Sequence, residues 1–157
     1  MLPAVAIRLA RPGEAEAVRA ISAAAYIPVY APIIGTAPKP ALEDYGPRIA
    51  RGEVWLLETE AKSVAVLVLE PQADHLLVYS IAVLPEHQGL GHARRLLVFA
   101  EEQARSAGRS ELRLYTNDRM EKNLALYKSC GFTECGRRAH PTRAGVTLID
   151  LAKPVDP

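Results

Sequence analysis

A chain of 157 residues, 49% apolar and 24% charged, fits one domain (1–157) around one core. Its formal net charge of +1 supplies no field favouring nucleic acid or an anionic membrane surface. Cys130 and Cys135 match no zinc ribbon or C-x-x-C, so they read as free thiols of a reducing compartment, and His75, His87, His92 and His140 share no metal-ligand spacing, so no metal is expected.

In chain order, residues 4 to 9 read as a strand broken by Arg11, Pro12 and Gly13, and Glu14 opens a helix with Val18, Ile21 and Ala25 on one face. The apolar N-terminus is interrupted by Arg8 and Arg11, and no apolar stretch approaches about 18 residues, so neither a signal peptide nor a membrane span is expected and the protein reads as cytoplasmic. "IPVYAPIIGTAPKP" reads as a Pro-rich loop with a packing or binding task. "ALEDYGPRIARG" predicts a broken short helix ending at Gly52, and "VWLLE" and "SVAVLVLE" a hairpin. Leu76 to Val83 is apolar almost continuously apart from Ser80, which predicts a strand buried on both faces and ended by Pro85.

From Ala93 the positions Leu96, Leu97, Ala100, Ala104 and Ala107 form the apolar stripe of a helix closed by Gly108. "ELRLY" alternates as a strand, Met120, Leu124 and Tyr127 return to helical spacing up to Gly131, and two strands follow, the last from Val146 to Leu151, with His140 in the turn between them. The strand, helix, strand unit from 76 to 115 predicts a parallel pair, while the earlier hairpin is antiparallel, so the sheet is mixed in an α+β chain.

"LPEHQGLGHARRLL" joins a strand to a helix through Gly89 and Gly91. A helix N-terminus offers unpaired N–H groups and a partial positive charge, and glycines let an anionic oxygen approach them. Arg94 and Arg95 are unfavourable cations there unless a polyanion binds; the alternative is a solvated helix face. Lys and Ser or Thr are missing after the second glycine, which excludes a P-loop, and Arg94 stands where a dinucleotide fingerprint needs a small residue. What remains is Gln88-x-x-Gly91-x-Ala93.

"AVLPEHQGLGHARRLL", followed downstream by "NLALYKSCGF", resembles the GNAT superfamily of acyl-CoA-dependent N-acyltransferases, whose pattern is Gln or Arg, two residues, Gly, one residue, Gly or Ala, and later Leu-Tyr, three residues, Gly-Phe. The similarity covers residues 76 to about 138 and is less specific in the N-terminal third. It implies a mostly antiparallel mixed sheet with a splayed parallel central strand pair flanked by helices, and acetyl-CoA as cosubstrate. Ile81, Ala82 and Val83 are then the main-chain contacts of the pantetheine arm and acyl group, and Gln88, Gly89, Leu90, Gly91, His92 and Ala93 the turn that holds the pyrophosphate. Tyr127 corresponds to the tyrosine that protonates the departing thiolate, chemistry suited to a phenol of pKa about 10 within hydrogen-bond reach.

Two positions depart from the pattern. Met120 stands where many members carry an asparagine, so Asn123 is assigned as the cofactor contact; no carboxylate stands at the position some members use as a base, leaving a water chain or a loop residue such as Asp44. The implied function is direct acetyl transfer to a primary amine of a small molecule or peptide by a monomer or homodimer. The alternative is a non-catalytic acyl-CoA-binding sensor or interaction module. Tyr127 also reads as a packed helix residue, and Tyr26, Tyr30 and Tyr45 either line an acceptor pocket or fill the core.

Overall fold

A computed structural model describes residues 4–156, with elements in the expected order: β1 Val5–Leu9, α1 Ala15–Ile34, α2 Gly46–Ala50, β2 Val54–Thr59, β3 Lys62–Pro71, β4 Leu76–Val83, α3 His92–Ser106, β5 Glu111–Asn117, α4 Glu121–Ser129, β6 Thr133–Ala139 and β7 Thr147–Pro154. The seven strands form a mixed sheet in the order β1-β2-β3-β4-β5-β7-β6. β4 and β5 are its parallel pair, with a ladder confined to Leu76↔Leu112 and Leu77↔Arg113, while β1–β2, β2–β3, β5–β7 and β6–β7 are antiparallel. Contacts cluster into two compact units, one comprising Ser80–Leu96 with the residues up to Leu69, the other Glu70–Tyr79 with the residues from Leu97 on.

In the first unit, β3 is the strand buried on both faces: Val64 through Leu69 are all at most 4% exposed. The sequence reading gave that place to β4, whose residues instead alternate, with Leu77, Tyr79 and Ile81 only half-buried. Six successive apolar residues in β3 leave no polar side chain to face water, whereas Tyr79 and Ser80 interrupt the run in β4. The β2–β3 hairpin turns through Glu60 and Ala61, both left-handed at φ 52° and 63°, a two-residue loop that favours Asn-Gly. A non-glycine residue there costs roughly 1–2 kcal/mol. Ala61→Gly should therefore raise the melting temperature by about 2–4 °C, read from thermal unfolding.

The Pro-rich segment is not wholly a loop. α1 continues through Pro28 and Pro32 to Ile34 and closes at Gly35, whose N–H bonds the Ala31 carbonyl at 2.8 Å. Each proline removes a helix hydrogen bond, a cost of about 3 kcal/mol in an interior position, so the last turns need tertiary anchors that no local pattern reveals. Tyr26 supplies one, described below. At 20 residues α1 is also long and apolar enough to cross a membrane by length and composition alone, a test that the core helix of a globular fold passes as well; Val18, Ile21 and Ser22 are buried here and Arg19 pairs with Glu16.

In the second unit, Leu112 and Leu114 of β5 bury the face that its alternation predicts, and Leu148, Ile149 and Leu151 are buried in β7. β7 runs to Pro154, three residues past the expected end, because its ladder with β5 continues to Glu111↔Pro154. In α3, Leu96, Leu97, Ala100 and Ala104 are buried as the stripe predicts, but Ala107 lies beyond the helix end and is exposed.

Candidate functional site

β4 delivers the site's backbone. The Leu84 N–H donates to the Val64 carbonyl of β3 at 2.9 Å, and since N–H and C=O groups alternate sides along a strand, those of Ile81 and Val83 point away from β3 while those of Ala82 point towards it. The Val83 carbonyl accepts a hydrogen bond from the Gln88 Nε2 amide at 3.1 Å, so Gln88 braces the chain as it leaves the strand. The Ile81 groups are met by Tyr26: its hydroxyl donates to the Ile81 carbonyl at 2.8 Å, accepts the Ile81 N–H at 3.2 Å and lies 2.9 Å from the buried Ser80 Oγ.

Next comes the glycine turn. Gly89 and Gly91 are left-handed, φ 78° and 84°, which explains both residues on conformational grounds. A Cβ at Gly89 would meet nothing within 4 Å, so that side of the turn is open to an incoming group. Among the described residues no backbone carbonyl takes the N–H of residues 89, 90, 91, 92 or 93; the first such bond in α3 runs from the Arg95 N–H to the Gly91 carbonyl. Five consecutive amides at a helix N-terminus form a donor set suited to a diphosphate. Arg95 fastens the turn, with Nη1 donating to the Leu90 carbonyl at 2.9 Å and lying 3.2 Å from His92 Nδ1. Its guanidinium thus has a local task that the two-arginine reading did not foresee.

His92 is 6% exposed, and its Nε2 is buried without a hydrogen-bond partner among the described residues. Burial, then the charges of Arg95 and His87, hold its pKa below the ordinary histidine value, so the fold favours its neutral form. The unfolded chain therefore binds more protons between the depressed value and about 6.5, and stability falls as pH drops through that window. His140 is shifted the same way, by burial first and Arg143 and Arg138 next. Urea unfolding from pH 8 to pH 5 should show declining stability, with a shallower slope in His92→Leu.

In the second unit, α4 carries Asn123 and Tyr127 one turn apart and both half-buried. The Tyr127 ring packs edge-on against Phe132 at 6.2 Å, and the Tyr127 carbonyl accepts the N–H groups of Cys130 and Phe132, which fixes the end of the helix under the ring. Met120, at the position of the family's asparagine, is the N-cap and is 4% exposed. Three residues earlier, Asn117 forms an Asx turn that leads into the helix, its Oδ1 accepting the Arg119 N–H at 2.9 Å.

Asp44 is exposed and its Oδ1 accepts the Gly46 N–H at 3.0 Å, a turn-forming role at the start of α2. Of the three tyrosines left open by the sequence, Tyr45 is a core residue, 0% exposed, with its hydroxyl on the Pro40 carbonyl and its pKa pushed up to about 12, mainly by burial. Tyr26 belongs to the β4 edge, and Tyr30 packs edge-on against it with centroids 5.1 Å apart. The Tyr26 contact was missed because its partners lie 54 and 55 residues away, where no spacing rule reaches. Cys130 and Cys135 form no disulfide among the described residues.

A family model described as an acetyltransferase (GNAT) domain matches residues 50–134, more than half of the chain. N-acetyltransferase 8B of Homo sapiens is 32% identical over 103 residues, covering 62% of this chain and 44% of that protein, so the chain spans less than half the length of this curated relative. Among solved structures, the ribosomal-protein-S18-alanine N-acetyltransferase of Escherichia coli superposes with a TM-score of 0.76 at 21% identity, covering 98% of this chain and 96% of that one. The PaiA N-acetyltransferase of Thermoplasma acidophilum, solved with coenzyme A, gives 0.79 at 17% identity, with 96% and 99% covered. At these identities the two structures establish the fold.

Proposed function

The chain belongs to the GNAT acetyltransferase family, and from that premise we propose that it transfers an acetyl group from acetyl-CoA directly to a primary amine of a small molecule or peptide. The observation that carries the reading is the run of five amides at 89–93 with no backbone carbonyl partner among the described residues, on a turn whose two glycines are left-handed. The N–H groups of Gly89, Leu90, Gly91, His92 and Ala93, oriented by Gln88 and Arg95, hold the diphosphate. Ile81 and Val83 present main-chain groups to the pantetheine arm and the acyl carbonyl, while Ala82 keeps the strand on β3; the Ile81 N–H is the donor suited to negative charge developing on the carbonyl oxygen. Asn123 is a further contact, and Tyr127 delivers a proton to the thiolate. Acetyl-CoA supplies the activated acyl group. We read residues 1–157 as one acetyltransferase domain acting in a reducing, cytoplasmic setting, as monomer or homodimer.

The test is calorimetry with acetyl-CoA and free CoA, followed by thiol release across a panel of primary amines and peptides. Binding of both, with amine-dependent thiol release, supports the enzyme. Binding without turnover on any amine supports the sensor, a reading favoured by one observation: Asp44, the carboxylate considered as base, spends an oxygen on the Gly46 N–H. Absence of binding overturns both.

A further inference from the structure

One hydroxyl serves two backbone groups of a single residue at the edge of β4. Tyr26 Oη donates to the Ile81 carbonyl, accepts the Ile81 N–H and lies 2.9 Å from Ser80 Oγ, so with Ser80 as donor its single proton and both lone pairs are used. A strand edge facing away from its neighbour leaves polar groups that must be satisfied, and Tyr26 satisfies them from α1. Of these, the Ile81 N–H is the group that the proposed function gives to the acyl carbonyl oxygen.

We propose that Tyr26 is a placeholder for the acyl carbonyl oxygen: its phenol occupies the Ile81 N–H and is displaced when an acyl thioester binds, but not when free CoA does. This rests on the acetyl-CoA reading. A thioester carbonyl is an acceptor only, so it can take the Ile81 N–H but cannot replace the phenol's donation to the Ile81 carbonyl. The exchange therefore opposes acyl-CoA binding by the net worth of the bonds lost. Free CoA carries no carbonyl at its sulfur and leaves the phenol where it is. Tyr26 is thus a positioning residue that sets how strongly the protein prefers the acylated over the free cosubstrate, and it links the occupant of Ile81 to the proline-bearing last turns of α1, which begin beside it.

Calorimetry on wild type and Tyr26→Phe with acetyl-CoA and with CoA tests this, since the variant removes one oxygen and keeps the ring contact with Tyr30. Acetyl-CoA should bind the variant about three- to tenfold more tightly, with CoA affinity changed less than about twofold. Equal changes for the two ligands, no change, or weaker acetyl-CoA binding would overturn the placeholder and leave the acetyltransferase reading standing. Failure of wild type to bind either ligand would remove that reading and this one with it. Crystal structures of the wild-type complexes provide a measurement independent of the variant's folding: Tyr26 Oη should lie beyond hydrogen-bond distance of the Ile81 N–H with acetyl-CoA and within it with CoA. Finding the phenol on Ile81 in both complexes sinks the proposal.

Discussion

Tyr127→Phe should lower kcat for acetyl transfer about a hundredfold or more, the range expected for loss of a general acid, while changing acetyl-CoA affinity less than about threefold. The variant isolates the hydroxyl. The ring packs edge-on against Phe132, and its backbone carbonyl anchors the N–H groups of Cys130 and Phe132, all of which phenylalanine retains. A purely structural tyrosine would instead show its loss as a lowered melting temperature with turnover intact. The decisive contrast is therefore kcat against stability in one preparation. If the departing thiolate needs the proton, better leaving groups should depend on it less, so the gap between wild type and variant should narrow for acyl donors whose thiols are more acidic. Unchanged kcat with acetyl-CoA would return Tyr127 to the packing role that its half-buried ring also fits.

What was legible in the sequence was whatever is written at short range. The glycine turn, the amphipathic face of α3 and the Leu-Tyr to Gly-Phe spacing each lie within about twenty residues, and the structure keeps the 88–93 turn at a helix start. Element order was legible too, because turn residues and periodicity switch at each boundary. Two errors share a cause. Burial of β3 on both faces, with one face of β4 only half-buried, depends on what is stacked against each strand, which an apolar run alone cannot specify. The extension of α1 through Pro28 and Pro32 likewise overrides local propensity by long-range contact, the Tyr26 bonds to Ile81 and Ser80 among them. Arg95 shows the converse. Its charge pointed to a ligand, yet its donors reach the turn's own Leu90 carbonyl, five residues away.

Arg48→Met should destabilise the protein by about 3–5 kcal/mol in urea unfolding, the cost of breaking a buried ion pair from one side. Arg48 is 8% exposed and donates through Nε to Glu43 and through Nη1 to Glu53 Oε1 at 3.1 Å; side-chain exposures are 10% for Arg48 and Glu53 and 14% for Glu43. Methionine fills comparable volume, so the loss is of charge and hydrogen bonds rather than packing. Glu53 then keeps its ion pair with Arg51, which is more than half exposed, so water screens that contact. Removing both charges in Arg48→Met/Glu53→Met should recover at least half of the loss, because a desolvated carboxylate left with weaker pairing is the main penalty. A single-variant loss below about 1 kcal/mol would place the pair among ordinary surface bridges. The cluster also has a functional consequence. It anchors α2 to the start of β2, where the Glu53 N–H bonds the Arg48 carbonyl, in the segment that also carries Asp44, the loop residue considered as a base for the acceptor amine. Arg48→Met at a temperature where it is still folded should then raise KM for the amine more than KM for acetyl-CoA, whose turn at 88–93 is fastened by Arg95. An equal rise in both constants would mean that the cluster supports the fold as a whole rather than the acceptor side.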